Sequence, residues 1–202
     1  MAYPRKLEPA AIASATLRVL EHSGWADWSL RDVAAELGVH PNALYRHVDG
    51  KDGLLIAGGA AAARQLAAAI DVEPTSNADA DVLAMVRNYV QFATQRPGAY
   101  AAFVRAKPAP DHPSFVAWAD LWAMVVMTTG RAAPSAAEAA AFSLWAAVHG
   151  RCDLTAGPAA AMSAEAGLDD AVAALLGGYR SLGDVATPVP ADAVRPRAAE
   201  ST

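Results

Sequence analysis

The stretch from residue 29 to residue 54, SLRDVAAELGVHPNALYRHVDGKDGL, constrains this chain most, because it spells two short helices and the tight turn between them. Leu30, Val33, Ala34 and Leu37 recur three or four apart and form one buried stripe, with Arg31, Asp32 and Glu36 outside it. Ser29 can take an orphan backbone donor at the helix start, and Asp32 favours the same positive end. Gly38 suits the left-handed turn that ends a helix, and Pro41 sits where a first-turn residue gives up no hydrogen bond. A second helix is expected over residues 41–47. Small Ala34 lets the two helices approach, and Val39, Leu44 and Val48 fill the angle between them, which is helix-turn-helix geometry.

In such a unit the second helix lies in the major groove of DNA with its first residues toward base edges. His40, Asn42, Ala43 and Arg46 are therefore candidate readers. The Asn42 amide can bond bidentately to adenine, whereas Arg46 can reach guanine or a phosphate. Tyr45, His47 and Lys51 carry donors suited to phosphate oxygens, which set register without reading sequence. Arg31, outside the buried stripe of the first helix, completes the set. The bland alternative is a three-helix packing unit in which Tyr45 is a half-buried aromatic.

ALYRHVDGKDGLL at residues 43–55, after AAELGVHPN at residues 34–42, resembles the DNA-binding domain of tetracycline-repressor (TetR) family regulators. The resemblance implies that Tyr45 and Lys51 contact phosphates and that the fourth helix couples a DNA-binding head to a body. Gly50 departs from the pattern, which often has a serine or similar capping residue there.

Composition agrees with an all-α fold. The 202 residues are 54% hydrophobic, much of this alanine, which favours closely packed helices, and no alternating run argues for a sheet. The formal charge of −5 does not advertise a nucleic-acid binder. Residues 1–56 hold six Lys or Arg against seven Asp or Glu, so DNA binding requires the cations to gather on one face. Cys152, the single cysteine, excludes an internal disulfide and fits a cytoplasmic protein. No signal-peptide core and no apolar run long enough to span a bilayer are evident, so no membrane partner is expected.

Along the chain, Arg5 and Lys6 form a basic arm that either lies along DNA or is a solvated end. A helix is expected over residues 8–22, ended by Gly24, with Trp25 and Trp28 covering the base of the head. A fourth helix follows over residues 51–70, where Gly53, Gly58 and Gly59 allow either a bend or close helix packing. Residues 71–77 read as a loop and domain boundary. Helices are then expected over residues 78–95 (Val82, Met85, Val86, Tyr89 and Ala93 on one side), 99–105 and 114–129. The last of these places Phe115, Trp118, Trp122, Val125 and Thr129 on one stripe.

Ser135 and Glu138 form a capping box for a helix over residues 136–155. On it Phe142, Trp145, His149 and Cys152 are expected to share a face. Trp145, His149 and Gly150 in LWAAVHG resemble the Trp-x-x-x-His-Gly signature of one C-terminal subclass of the TetR family. A last helix is expected over residues 166–182, and the tail from residue 183 reads as disordered. The resemblance covers residues 8–180 and implies that the last two long helices pair with their copies in a homodimer.

The expected organisation is a head at residues 1–56 and a helical ligand-binding and dimerisation body at residues 57–182. Tyr89, Phe103, Trp118, Trp122, Trp145 and His149 are the candidate ligand-binding residues, although an aromatic stripe also reads as core and His149 as a satisfied core imidazole. No metal is expected from His149 and Cys152 alone. No nucleophile elbow, phosphate loop or dinucleotide fingerprint occurs, so neither a cofactor nor an enzyme is expected. The expected function is a ligand-responsive regulator, a repressor released from a pseudo-palindromic duplex operator by a small, largely apolar effector. The competing reading is a small-molecule-binding protein or enzyme built on Trp118, Trp122, Trp145 and His149.

Overall fold

The computed structural model describes residues 7–156 and 163–183. Among them the chain runs through α1 (Pro9–Asp27), α2 (Leu30–Glu36), α3 (Pro41–Leu44), α4 (Gly50–Ile70), α5 (Ala78–Gln95), α6 (Pro97–Arg105), α7 (Val116–Ala132), α8 (Ala137–Thr155) and α9 (Leu168–Gly183), with no strand. The basic arm at Arg5 and Lys6 and the tail beyond residue 183 lie outside the described residues.

Local sequence accounts for the head. Ser29 caps α2 through a full capping box: its hydroxyl accepts from Asp32 N, and Asp32 Oδ2 accepts from Ser29 N at 2.8 Å. Gly38 has φ +67°, the left-handed value that its lack of a Cβ permits. Leu44 is fully buried, and Val39 and Val48 are half-buried against the core. The second helix is shorter than expected: after Leu44 the chain turns through residues 45–47, so a single helical turn carries Asn42 while Tyr45, Arg46 and His47 lie on the turn after it. In α1, Gly24 (φ +72°) breaks the helical path at the expected place, and residues 25–27 resume it in a new direction.

α4 is the central helix, packed against α1, α5, α6 and α7. It is long and apolar enough to cross a membrane by length and composition, although Lys51, Asp52, Arg64 and Gln65 interrupt its apolar run. Its apolar side chains instead face its neighbours, with Leu54, Leu66 and Ile70 buried. The two readings of its glycines are resolved by contact. A Cβ on Gly58 would lie 3.1 Å from Thr16 Cγ2, and one on Gly59 only 2.4 Å from the Cβ of Ala106. α4 is an unbroken helix whose glycines let α1 and α6 close in.

The loop at residues 71–77 is held to the body by buried Asp81. Its carboxylate accepts from Thr75 N (2.9 Å), Thr75 Oγ1 (2.6 Å) and Arg131 Nη1 (2.6 Å). The Thr75 bonds, with Arg131 beside them, hold the carboxyl below its usual range.

Three expectations for the later helices fail. The Ser135–Glu138 box does not form, because a 3-10 turn at Pro134–Ala136 precedes α8 and leaves Ala136 as a cap without a side-chain bond. Phe142 does not share a face with Cys152: ten residues at about 100° each leave them some 80° apart, and Phe142 is 65% exposed. The buried stripe of α8 is Ala141, Leu144, Val148 and Cys152. Likewise Phe115 stays exposed in a 3-10 turn ahead of α7, whose buried line runs through Leu121, Val125 and Thr129.

Candidate DNA-reading face and aromatic cluster

Two separate groups of candidate residues emerge, one on the head and one in the body. On the head, Leu44 turns inward while Asn42, Tyr45, Arg46 and His47 stay exposed, Tyr45 to 60%. Arg31 is exposed on α2, and Ala43 is half-buried beside Leu44. His40 is exposed but partly committed, since its Nδ1 accepts from Asn42 N at 3.3 Å and caps α3. That bond orients the start of the helix that presents Asn42.

Lys51 opens the first turn of α4 and is exposed, yet its ammonium is also engaged. Nζ donates to the Trp28 carbonyl at 2.9 Å and sits 4.5 Å from the centre of the Trp28 ring. Trp28 is 2% exposed and covers the base of the head as expected. Trp25 does not: it lies at the surface with the Arg105 guanidinium 4.7 Å from its ring centre.

In the body, the six candidate residues come together from four helices. Tyr89 packs edge-on to Trp145 at 5.1 Å between centroids, and Trp145 stacks on His149 at 5.8 Å. Phe103 stacks on Trp118 and meets Trp145 edge-on, while Trp122 meets Trp145 at right angles. The Tyr89 hydroxyl and His149 Nδ1 are hydrogen-bonded. Burial pushes the Tyr89 phenol well above its ordinary value and lowers His149, the latter against the opposing charge of Asp153. The pair therefore stays neutral at physiological pH.

The six do not line one cavity. Phe103, Trp118, Trp122 and Trp145 border an apolar depression of about 400 Å³. Tyr89 and His149 do not border it: they pack against Trp145, and their hydrogen bond is internal. Among the described residues no group of three potential metal ligands occurs, and burial raises the Cys152 thiol to about 11.

Tyr100 was missed by sequence reasoning. It packs against Tyr89 and His149 at 6.0 and 5.6 Å between centroids, is 6% exposed, and its hydroxyl has no partner among the described residues. Its position three residues before Phe103, on the same side of α6, was the available signal. Glu21 was also missed. Its two carboxylate oxygens accept from Gly98 N (3.0 Å) and Ala99 N (2.9 Å), so a residue of α1 caps α6. No local pattern announces a bond across so many residues.

Comparison with known proteins places these groups in a family. The family profile described as bacterial regulatory proteins, tetR family, matches residues 12–57. That described as the tetracyclin repressor-like C-terminal domain matches residues 82–179. No curated protein matches the chain in sequence. Among solved structures, a variant of TetR from Acinetobacter baumannii AYE in complex with minocycline is 19% identical, with a TM-score of 0.68 over 88% of this chain and 99% of its own. A possible TetR family transcriptional regulator from Streptomyces coelicolor A3(2) is 17% identical, with a TM-score of 0.67 over 87% of this chain and 100% of its own. BioQ with its natural double-stranded DNA operator is 18% identical, with a TM-score of 0.65 over 87% of this chain and 99% of its own. Matched by profile in both head and body and alike in fold throughout, the chain belongs to the TetR family of bacterial transcriptional regulators.

Proposed function

We propose that this regulator is a homodimeric repressor that leaves a pseudo-palindromic operator when a small, largely apolar molecule enters its body. The observation that carries the reading is the outward row of Asn42, Tyr45, Arg46 and His47 over inward Leu44, on a one-turn helix and the turn that follows it. That row has the donors a major groove and its flanking phosphates require. In this reading Asn42, Ala43, His40 and Arg46 face bases, while Tyr45, His47, Lys51 and Arg31 face the backbone.

The division into a head at residues 1–56 and a body at residues 57–182 falls inside α4, which makes that helix the mechanical link. Dimerisation through α8 and α9 is supported by the exposed apolar side chains Phe142, Leu154 and Leu182. The depression bordered by Phe103, Trp118, Trp122 and Trp145 suits an apolar effector, whereas Tyr100 lines a separate cavity with Cys152 and Asp153. The subclass suggested by Trp145, His149 and Gly150 belongs to the same proposal. Ligand binding would favour a head spacing that no longer matches successive grooves.

The test is selection of duplexes from a random library by the purified protein. A two-fold symmetric sequence should emerge, and bound duplex should be released by members of a panel of aromatic and aliphatic compounds that raise the protein's melting temperature. Recovery of no preferred sequence, or of one without two-fold symmetry, overturns the proposal.

A further inference from the structure

The structure holds a continuous run of contacts from the body to a cation of the head. Arg105, in the last turn of α6, places its guanidinium 4.7 Å from the centre of the Trp25 ring. Trp25 meets Trp28 at 6.2 Å between centroids, tilted by 48°. The Trp28 ring lies 4.5 Å from Lys51 Nζ, and the Trp28 carbonyl accepts its proton at 2.9 Å. Two cations thus bracket a tryptophan pair, one at each end.

We infer that Arg105 and Trp25 are positioning residues for Lys51, holding its ammonium ready for a DNA phosphate. The inference rests on the DNA-binding reading above. An ammonium has three donors, and the Trp28 carbonyl takes one, so two remain for phosphate oxygens. A lysine free to rotate loses rotamer entropy on docking, and one already held by a carbonyl and a ring does not.

What fixes the Trp28 ring is packing, because its indole N–H has no hydrogen-bond partner among the described residues. Trp25 supplies part of that packing, and Trp25 needs support of its own. It directly follows Gly24, where the helical path breaks at φ +72°, and it lies at the surface. Arg105 provides the support from α6. The same helix carries Tyr100 and Phe103 of the aromatic cluster, so a shift of α6 would reach Lys51 by this route.

The experiment is a double-mutant cycle on the full chain, with binding to a random-sequence duplex followed across a salt series. Arg105→Gln should weaken binding about two- to fivefold, the factor an exposed cation–π contact confers, with the salt slope unchanged. Arg105→Lys, which keeps a cation over the ring, should restore most of the loss. Lys51→Ala should weaken binding and flatten the salt slope by about one unit. In the Lys51→Ala background Arg105→Gln should then have no effect, and Trp25→Leu should behave likewise, provided thermal melts show each variant folded. An equal loss from Arg105→Gln in both backgrounds, or no loss in either, overturns the inference while leaving DNA binding intact. Absence of salt-dependent binding by the unaltered protein overturns the regulator reading itself and this inference with it.

Discussion

The head and the body use polar side chains in opposite ways. On the head, Asn42, Tyr45, Arg46 and His47 face solvent from a scaffold whose caps and turns are satisfied within a few residues. In the body, the polar atoms of Tyr89, Tyr100 and His149 are drawn inward among aromatic rings from separate helices. The first arrangement keeps donors wet and available to an external partner. The second desolvates them, which makes each one costly unless paired and useful only to a molecule that comes inside. Substitution should therefore separate stability from binding in the head and entangle them in the body.

The largest effect that would break this contrast is at Phe103, buried between Trp118 and Trp145. Phe103→Ala should cost about 3–5 kcal/mol in chemical denaturation, and a loss below about 1 kcal/mol would mean the cluster is an open pocket. Tyr89→Phe keeps the ring but strips the His149 imidazole of its partner. It should cost about 1–3 kcal/mol in the same assay.

A smaller, pH-dependent effect sharpens the point. Burial lowers the folded imidazole of His149, so the folded state takes up its proton at lower pH than the unfolded chain does. Stability should accordingly fall as pH drops below about 6.5, the ordinary histidine value. His149→Phe should flatten that fall in melts recorded on either side of this pH.

In the head, Ser29→Ala removes the α2 cap and should cost about 1 kcal/mol, visible as a lower melting temperature. The smallest stability effect is expected at exposed Asn42. Asn42→Ala should stay within about 0.5 kcal/mol yet relax base preference at one position of a selected duplex. A destabilised Asn42→Ala with unchanged selection would erase the distinction between the two regions.

The two regions also differ in how legible they were. The capping box at Ser29, the left-handed Gly38 and the inward Leu44 follow from neighbours in sequence, and each was expected. The Asn77 cap of α5, which accepts from Ala80 N at 3.1 Å, is equally local. The misreadings arise where local rules meet competition. Ser135 and Glu138 have the capping pattern, but Pro134 starts a 3-10 turn that takes Ser135 out of register. Phe142 follows helical steps from Trp145, yet those steps drift around the helix, and Ala141, Leu144 and Val148 take the core instead.

The order of the helices, the all-α architecture and the outward placement of Asn42, Tyr45, Arg46 and His47 were written in apolar spacing and turn residues, because helix periodicity and capping act over only a few positions. Tertiary structure alone decided that Glu21 caps α6, that α1 and α6 approach so closely that a Cβ added at Gly98 would lie 2.5 Å from the Glu21 backbone nitrogen, and that Arg105 meets Trp25. These join residues far apart in the chain, and their partners are selected by how helices pack, a property of the whole assembly of surfaces that no short window contains.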